Sequence, residues 1–244
     1  MQVPGVPSSA RPYPVSDGGI MEGVMAKLKA VEKAGKEVKE VKGKERKKLR
    51  ISPPELETIT VRIEGISPLI VKAMSAKVKG DIAASQTGTG KRSTAKPARN
   101  PEAEFEDCFH KTPEGKYGIR AIWFKKAMEN MATFSEGMFK KDVKCGVFVH
   151  GDIIPLAKHG VPWMRTDWVR LSGIGKKTSL CYRPQFDTWE AYLKLTVDLG
   201  IMSVDEAVNL LSVAGTRNGV GERRPQTEGE TYGRFKIKTV EGGK

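Results

Sequence analysis

The stretch Trp189-Glu-Ala-Tyr-Leu-Lys-Leu-Thr-Val-Asp-Leu199 alternates apolar and polar residues along its whole length. This period of two predicts a β-strand with one buried face. Ser203 and Glu206 follow at the spacing of a capping box, so a helix is expected to begin there and to end before Gly215. A last strand is predicted over 233–240. Strand, helix and strand in this order form half of a split βαβ fold.

The other half precedes this stretch. Alternation predicts strands over 58–64 and 145–149, and apolar residues at helical spacing predict a helix over 120–134. Extended pieces at 167–171 and 178–183 are typical of an inserted hairpin. The sequence therefore predicts an α+β, ferredoxin-like or RRM-like fold whose antiparallel sheet is covered by helices on one face. The other face and the loops would be available for binding.

Two basic regions flank the first strand. A basic N-terminal arm, 1–54, is expected to be flexible or partly helical, and the folded domain is expected to cover 55–244. Residues 72–100 lack periodicity and predict a long inserted basic loop. Within it, Ser85-Gln-Thr-Gly-Thr-Gly-Lys91 is similar to a phosphate loop, but Arg92 stands where Ser or Thr would bind magnesium. No nucleotide cofactor is therefore expected.

The overall composition indicates an anionic partner. The 244 residues carry a formal net charge of +13 and give a pI near 9.6. Positive potential of this size attracts phosphate polymers, so nucleic acid is the leading candidate. No apolar run approaches the ~20 residues of a spanning helix, and no secretion signal is recognisable, so a cytoplasmic protein with no membrane partner is expected. The three cysteines have no disulfide or metal-site spacing, and no metal site is predicted.

The candidate binding site centres on residues 214–235, here called the glycine–arginine segment, which holds five glycines and four arginines. Glycine lets the backbone approach a ligand, arginine suits phosphate, and aromatic rings stack on bases. The alternative is a loop of turn-forming glycines and solvated arginines. The predicted nucleic-acid-binding residues are Lys72, Lys77, Lys79, Lys91, Arg92, Lys96, Arg99, Lys125, Lys126, Arg217, Arg223, Arg224, Tyr232, Arg234 and Phe235. Replacing Arg223 and Arg224 by Ala is expected to weaken binding with little change in Tm.

Signals for catalysis are weak. No serine elbow or cysteine nucleophile signature is present, so a non-enzymatic binder is expected. A metal-independent ribonuclease that uses His110 or His159 is the alternative, and incubation with RNA in EDTA would separate the two. An adaptor that docks on an acidic protein is a third hypothesis. The acidic run 102–107 is interpreted as a solvated patch rather than a metal site.

These motifs together resemble the RAMP superfamily, the RRM-fold proteins of CRISPR effector complexes. The likeness rests on the Gly-rich loop 214–221 with Tyr232-Gly-Arg-Phe235, on Ile66-Ser-Pro-Leu-Ile70, and on the helix entry 117–127. Arg120 stands where that entry has proline. The resemblance implies an RRM-like fold over roughly residues 58 to 240 and binding of nucleic acid.

The run Arg217–Pro225 with Tyr232–Phe235 also resembles uncharacterised bacteriophage proteins. Together the two resemblances imply a sequence-tolerant binder of single-stranded nucleic acid that assembles as a homo-oligomer along the strand, in a bacterial host cell. Phage recombination or annealing and a CRISPR-like backbone are both open as roles. The choice between DNA and RNA is open as well, because no motif indicates contacts to a 2′-hydroxyl.

Overall fold

The computed structural model describes three stretches of the chain: residues 53–88, 98–170 and 178–242. The strands in these stretches are β1 (Leu56–Gly65), β2 (Leu69–Ile70), β3 (Gly118–Arg120), β4 (Val147–Val149), β5 (Ile153–His159), β6 (Trp163–Arg170), β7 (Thr178–Phe186), β8 (Trp189–Asp198) and β9 (Phe235–Glu241). The helices are α1 (Ala76–Gln86), α2 (Pro101–Asp107), α3 (Ala121–Ala132), α4 (Lys140–Gly146), α5 (Val204–Val213) and α6 (Pro225–Glu228). None of these described helices is long and apolar enough to cross a membrane.

The main sheet is antiparallel and has the strand order β3-β5-β8-β1-β9, with β4 also pairing with β8. Along the chain, β1, α3, β4 with β5, β8, α5 and β9 follow one another. A split βαβ fold has this succession, with its first and third strands at the centre of the sheet. Here β1 and β8 take those places, and Val61 lies opposite Leu193. The predicted α+β, ferredoxin-like layout is confirmed.

The core lies between this sheet and its helices. Ile63 of β1 and Leu195 of β8 are fully buried with Phe124 of α3 and Leu211 of α5 in one hydrophobic cluster. At the alternate positions of the same strands the side chains are more accessible, and Tyr192 and Lys194 are exposed. The strand alternation thus separates a core face from an open face.

The predicted start of α5 is confirmed. The Ser203 hydroxyl accepts a hydrogen bond from the Glu206 amide at 3.2 Å, and the Glu206 carboxylate accepts one from the Ser203 amide at 2.7 Å. The hydrogen bonds that the Glu206 carboxylate accepts from the Ser203 amide and hydroxyl lower the pKa of Glu206. The capping box satisfies two amide groups that the first turn of the helix would otherwise leave unpaired.

A second sheet, with the order β2-β7-β6, forms beside the first. β6 and β7 pair antiparallel over the full length of β6, from Trp163 opposite Gln185 to Arg170 opposite Thr178. The inserted hairpin predicted from the sequence is therefore present, and its strands are longer than predicted. The residues between the strands lie outside the described part of the chain.

Three local features differ from the sequence-based expectations. The segment 72–100, predicted as loop, contains the helix α1, in which no residue is buried. Cys145 lies in α4 and not in a strand, since the strand begins only at Val147. β5 escaped prediction because its sequence, Ile153-Ile-Pro-Leu-Ala-Lys-His159, begins with an apolar run that contains a proline and does not alternate with polar residues. Of the predicted arm 1–54, residues 1–52 lie outside the described residues, and the domain boundary stays a prediction.

Candidate nucleic-acid interface

The glycine–arginine segment is bound by its backbone to the chain that follows β1. The Glu222 amide donates to the Ile70 carbonyl at 2.9 Å, and the Gly233 amide donates to the Pro68 carbonyl at 2.8 Å. The first part of the segment, Ala214–Asn218, is a π-helical turn that continues α5. These amide groups are satisfied within the protein and do not point at a ligand.

The glycines of this segment are required by close packing. Gly221 has φ +81°, and a Cβ there would lie 2.4 Å from the Ile70 carbonyl oxygen. Gly233 has φ +67°, and a Cβ there would lie 1.7 Å from the Val220 carbonyl oxygen. Glycine does permit close approach here, as the sequence suggested, but the group approached is the protein's own backbone.

Arg223 belongs to a charge cluster centred on Asp167, whose side chain is 4% exposed. The Asp167 carboxylate accepts hydrogen bonds from Arg165 at 2.8 Å and from Arg223 at 2.7 Å, and Arg183 lies 3.7 Å away. Arg223 also donates to Glu230, which raises the pKa of Arg223. The cluster joins the β6–β7 hairpin to the glycine–arginine segment.

The other predicted arginines of the segment differ in their availability. Arg224 donates to the Gly221 carbonyl at 3.0 Å, and Arg234 donates to the Thr216 carbonyl at 2.9 Å. Arg217 is exposed on the π-helical turn. Of these three side chains, Arg217 is the most accessible to a phosphate.

The two residues predicted to stack on bases both contact other side chains of the protein. The Tyr232 hydroxyl accepts a hydrogen bond from Arg165 at 2.7 Å, and the Arg165 guanidinium lies 4.8 Å from the ring centroid. Phe235 has no exposed surface and packs edge-on against Phe124 and Trp189. Phe235 is therefore a core residue and cannot stack on a base, because no face of its ring reaches solvent.

The predicted basic loop brings several of its cations to one cavity. Lys72, Lys77 and Arg99 line a cavity of about 750 Å³ between α1, α2 and the hairpin strands, and Lys79 is exposed on α1. Arg99 is paired with Glu104 and donates to Ser179 at 3.0 Å. Because Asp81, Glu104 and Asp107 also line the cavity, its rim carries balanced charges. Three further predicted residues lie outside the described part of the chain: Lys91, Arg92 and Lys96.

The two neighbouring lysines of α3 have different roles. The Lys125 ammonium donates to the carbonyl oxygens of Val143, Lys144 and Val147, so it caps the C-terminal end of α4. Burial lowers the pKa of Lys125. Lys126 is exposed and pairs with Glu129 at 2.9 Å. The Lys125 ammonium is therefore bound within the fold, whereas the Lys126 side chain is accessible to solvent.

Replacing these two lysines separately should give unequal losses of stability. Lys125→Ala removes a charged donor from helix-end carbonyls, and we expect the free energy of unfolding to fall by about 2 kcal/mol. Lys126→Gln removes the charge but keeps a side-chain donor for the buried Glu129 carboxylate, and it should cost less than about 1 kcal/mol. Urea unfolding of both variants measures the difference. Equal losses would show that the contacts of Lys125 do not stabilise α4.

The open face of the main sheet presents an accessible tyrosine at its centre. Tyr192 of β8 is 45% exposed, and it lies opposite Arg62 of β1, whose guanidinium is 5.7 Å from the ring centroid. Lys194, two residues along β8, lies opposite Thr60 and is also exposed. Sequence reasoning named no residue of this face, although Tyr192 and Lys194 occupy the polar positions of the alternating stretch that predicted β8.

The open face carries five cations and four carboxylates, so its excess of positive charge is small. The carboxylates are Glu64, Glu190, Asp198 and Glu241; Glu190 pairs with Arg62 at 2.6 Å, and Glu64 pairs with Lys236 at 3.2 Å. These contacts lower the pKa of the Glu190 and Glu64 carboxyl groups, so both are ionised at neutral pH. The cationic side chains placed on this face by strand register and ion pairing are Arg62, Lys158, Lys194, Lys236 and Lys238.

The two histidines of the nuclease hypothesis occupy different surroundings. His110 packs edge-on against Trp123, its Nε2 atom is buried without a hydrogen-bond partner, and burial lowers its pKa. The His159 ring packs against Tyr117 and Phe186, and its Nδ1 atom lies 2.9 Å from the Gly160 carbonyl oxygen. Within the described stretches, neither forms a hydrogen bond with a carboxylate that would orient it as a general base.

No family model and no curated protein matches the sequence. Among solved structures, the chain is similar to a chain of a type III-B Cmr-β structure bound to cognate target RNA, with 11% identity and a TM-score of 0.49 over 94% of this chain and 68% of that one. It is also similar to Cmr6 from Pyrococcus furiosus, with 11% identity and a TM-score of 0.41 over 75% of this chain and 99% of that one. Both neighbours belong to the RAMP superfamily that the sequence resembles. The fold assignment rests on the strand order above and not on these scores.

Proposed function

We propose that the protein is a non-enzymatic binder of single-stranded nucleic acid, and that the open face of the main sheet is the principal contact surface. The observation that carries the proposal is the exposed ring of Tyr192 at the centre of the open face, with the exposed Lys194 beside it on the same strand. A tyrosine on an open sheet face can stack on a base, and every base has a stacking face, so such binding tolerates sequence.

The charges of this face suit a phosphate backbone. The exposed ammonium of Lys194 lies on the same strand and the same face as Tyr192, at about 7 Å for two residues of strand. Lys236 and Lys238 lie on β9, at the edge of the same sheet. A strand that stacks a base on Tyr192 would therefore bring its phosphates within reach of these cations. Duplexes bury their base faces, so the proposal favours single strands.

Exposed cations outside the sheet would extend the contact. Lys72, Lys77, Lys79, Lys126 and Arg217 fit this role, because all five residues are exposed. Arg223, Tyr232 and Phe235 do not fit it, since they bind within the fold. Assembly of several copies along one strand, as the sequence resemblances imply, belongs to this proposal as well.

Replacing Tyr192 should separate stacking from general attraction. We expect Tyr192→Ala to raise the Kd for a short single-stranded oligonucleotide roughly 5- to 150-fold, because one stacked base contributes about 1–3 kcal/mol. Tyr192→Phe keeps the ring and should bind as the parent protein does. Fluorescence anisotropy with labelled RNA and DNA of the same sequence measures the effect and reports which one is preferred.

Phe134→Ala is the matched control, since Phe134 is an exposed ring in the turn after α3. Lys194→Ala should lower the slope of log affinity against log salt by about 1. An affinity that hardly changes with salt, or an equal loss in the Phe134 and Tyr192 variants, would contradict the proposed surface. Cleavage of labelled RNA in EDTA would contradict a non-enzymatic role and support the histidine hypothesis.

A further inference from the structure

The hairpin strand β6 forms a free sheet edge in the part of the chain that the structure describes. In the three-stranded sheet β6 is terminal, and its other side meets no strand in the described residues. Its sequence, Trp163-Met-Arg-Thr-Asp-Trp-Val-Arg170, contains neither proline nor lysine, and its pairing with β7 has no bulge. Its one inward-facing carboxylate, Asp167, is neutralised within the chain by Arg165 and Arg223. Edge strands of monomeric proteins are usually interrupted by prolines, lysines, bulges or inward charges, because free backbone groups pair with other chains.

This edge also exposes large apolar side chains. Trp168 is 77% exposed and Met164 is 40% exposed, and both lie on the same face of β6, on either side of Thr166. Trp163 is exposed as well, on the opposite face. An edge with apolar side chains on both faces is suited to a partner that supplies another strand.

We propose that β6 pairs antiparallel with β6 of a second copy of this chain, with Thr166 on the twofold axis. At this register Met164 lies opposite Trp168 of the second copy, and Trp163 lies opposite Val169. Arg165 lies opposite Asp167, and the two Thr166 side chains face each other. Every cross-strand pair is therefore matched: apolar with apolar, cation with anion, and hydroxyl with hydroxyl.

The adjacent registers are unfavourable. A twofold axis normal to the sheet keeps each residue on its own face, so the axis can only pass through a single residue. An axis at Arg165 places the two Arg165 side chains opposite each other. An axis at Asp167 places two buried carboxylates opposite each other. Like charges directly opposite destabilise a sheet, so the sequence of β6 selects the register centred on Thr166.

The dimer and nucleic-acid binding should respond to salt in opposite directions. Each copy carries a formal charge of +13, so two copies repel each other at low salt. Added salt screens this repulsion, and we expect the dimer fraction to rise with salt. Affinity for nucleic acid should fall over the same range. The dimer is measured without nucleic acid, so its failure and that of the proposed function are separate results.

Cysteine cross-linking of the full chain tests the register. Cys145 is exposed, so Cys145→Ser supplies the background. In this background Thr166→Cys should form a disulfide-linked dimer under copper-phenanthroline, because the two residues face each other across the axis. Arg170→Cys is the control on the same strand and face, and its thiols would lie about 27 Å apart. Equal cross-linking of both variants, or none with Thr166→Cys, would overturn the register.

Sedimentation velocity without cysteine variants provides the second test. The unmodified chain should show a concentration-dependent dimer. Trp168→Lys should raise the dimer Kd roughly tenfold or more, because the twofold symmetry places the substituted residue at two positions of the interface. Phe134→Lys changes an equally exposed ring away from β6 and should leave the Kd unchanged. A chain that stays monomeric at all concentrations and salts would overturn the proposal.

Discussion

Gly233→Ala should lower the free energy of unfolding by about 3 kcal/mol or more. Gly233 has φ +67°, which costs other residues about 1–2 kcal/mol. A Cβ there would also lie 1.7 Å from the Val220 carbonyl oxygen, a distance that no real Cβ adopts. The backbone must therefore move, and overpacking of this kind costs about 1–3 kcal/mol more. For a domain of this size, we expect Tm to fall by about 10 °C.

The position of Gly233 makes such movement costly. Its amide donates to the Pro68 carbonyl at 2.8 Å, and its carbonyl oxygen accepts from the Val220 amide at 2.9 Å. Displacing this residue breaks both bonds and separates the glycine–arginine segment from the chain after β1. Gly229 is the matched control, because it has φ +70° but open space around its Cβ position.

Gly229→Ala should therefore cost only about 1 kcal/mol, from the backbone conformation alone. Differential scanning calorimetry of the two variants measures the difference in Tm. An equal decrease in Tm for both variants would contradict this prediction. It would mean that the backbone near Gly233 moves to accept a Cβ at no cost in stability, so that the segment is an adaptable loop and not a packed one.

Asp167→Asn should destabilise the domain by about 3–5 kcal/mol. The substitution keeps the shape of the side chain but removes the negative charge that Arg165, Arg183 and Arg223 share. Breaking a buried ion pair from one side is costly because the partner charges stay buried without compensation. Of the nearby acids, Glu230 pairs with Arg223, and Glu222 lies 3.8 Å from Arg183. Neither is placed to replace Asp167.

A double-mutant cycle in urea isolates this cluster. Asp167→Asn combined with Arg165→Met should cost less than the sum of the single changes, since Arg165 is paired with Asp167 and the second change removes the cation that the first leaves uncompensated. Glu230→Gln is the control, because Glu230 is a more exposed carboxylate at the rim of the same cluster. A loss after Asp167→Asn no larger than that after Glu230→Gln would show that the cluster is solvated.

The same cluster changes an expectation drawn from the sequence. Arg223→Ala was expected to weaken binding with little effect on Tm, whereas the contacts with Asp167 and Glu230 now lead us to expect a lower Tm. Arg223 also has φ +54°, which is rare outside glycine. Neither charge pairing nor a positive φ can be derived from a run of arginines.

The sequence by itself determined the central framework of the fold. The alternation in β1 and β8, the stripe of α3 and the capping box of α5 are local signals, and each depends only on residues a few positions apart. Their order along the chain was sufficient to predict a ferredoxin-like sheet. The net charge likewise indicated an anionic partner without reference to any structure.

Tertiary structure decided which of the candidate site residues remain accessible. Phe235 and Tyr232 were typical stacking residues in the sequence, but one packs in the core and the other binds Arg165. Tyr192 and Lys194 were recognised only as polar positions of a strand. Whether a side chain reaches solvent depends on partners far away in the chain, such as Asp167 for Arg223, and such long-range contacts form only when the sheet and the hairpin come together.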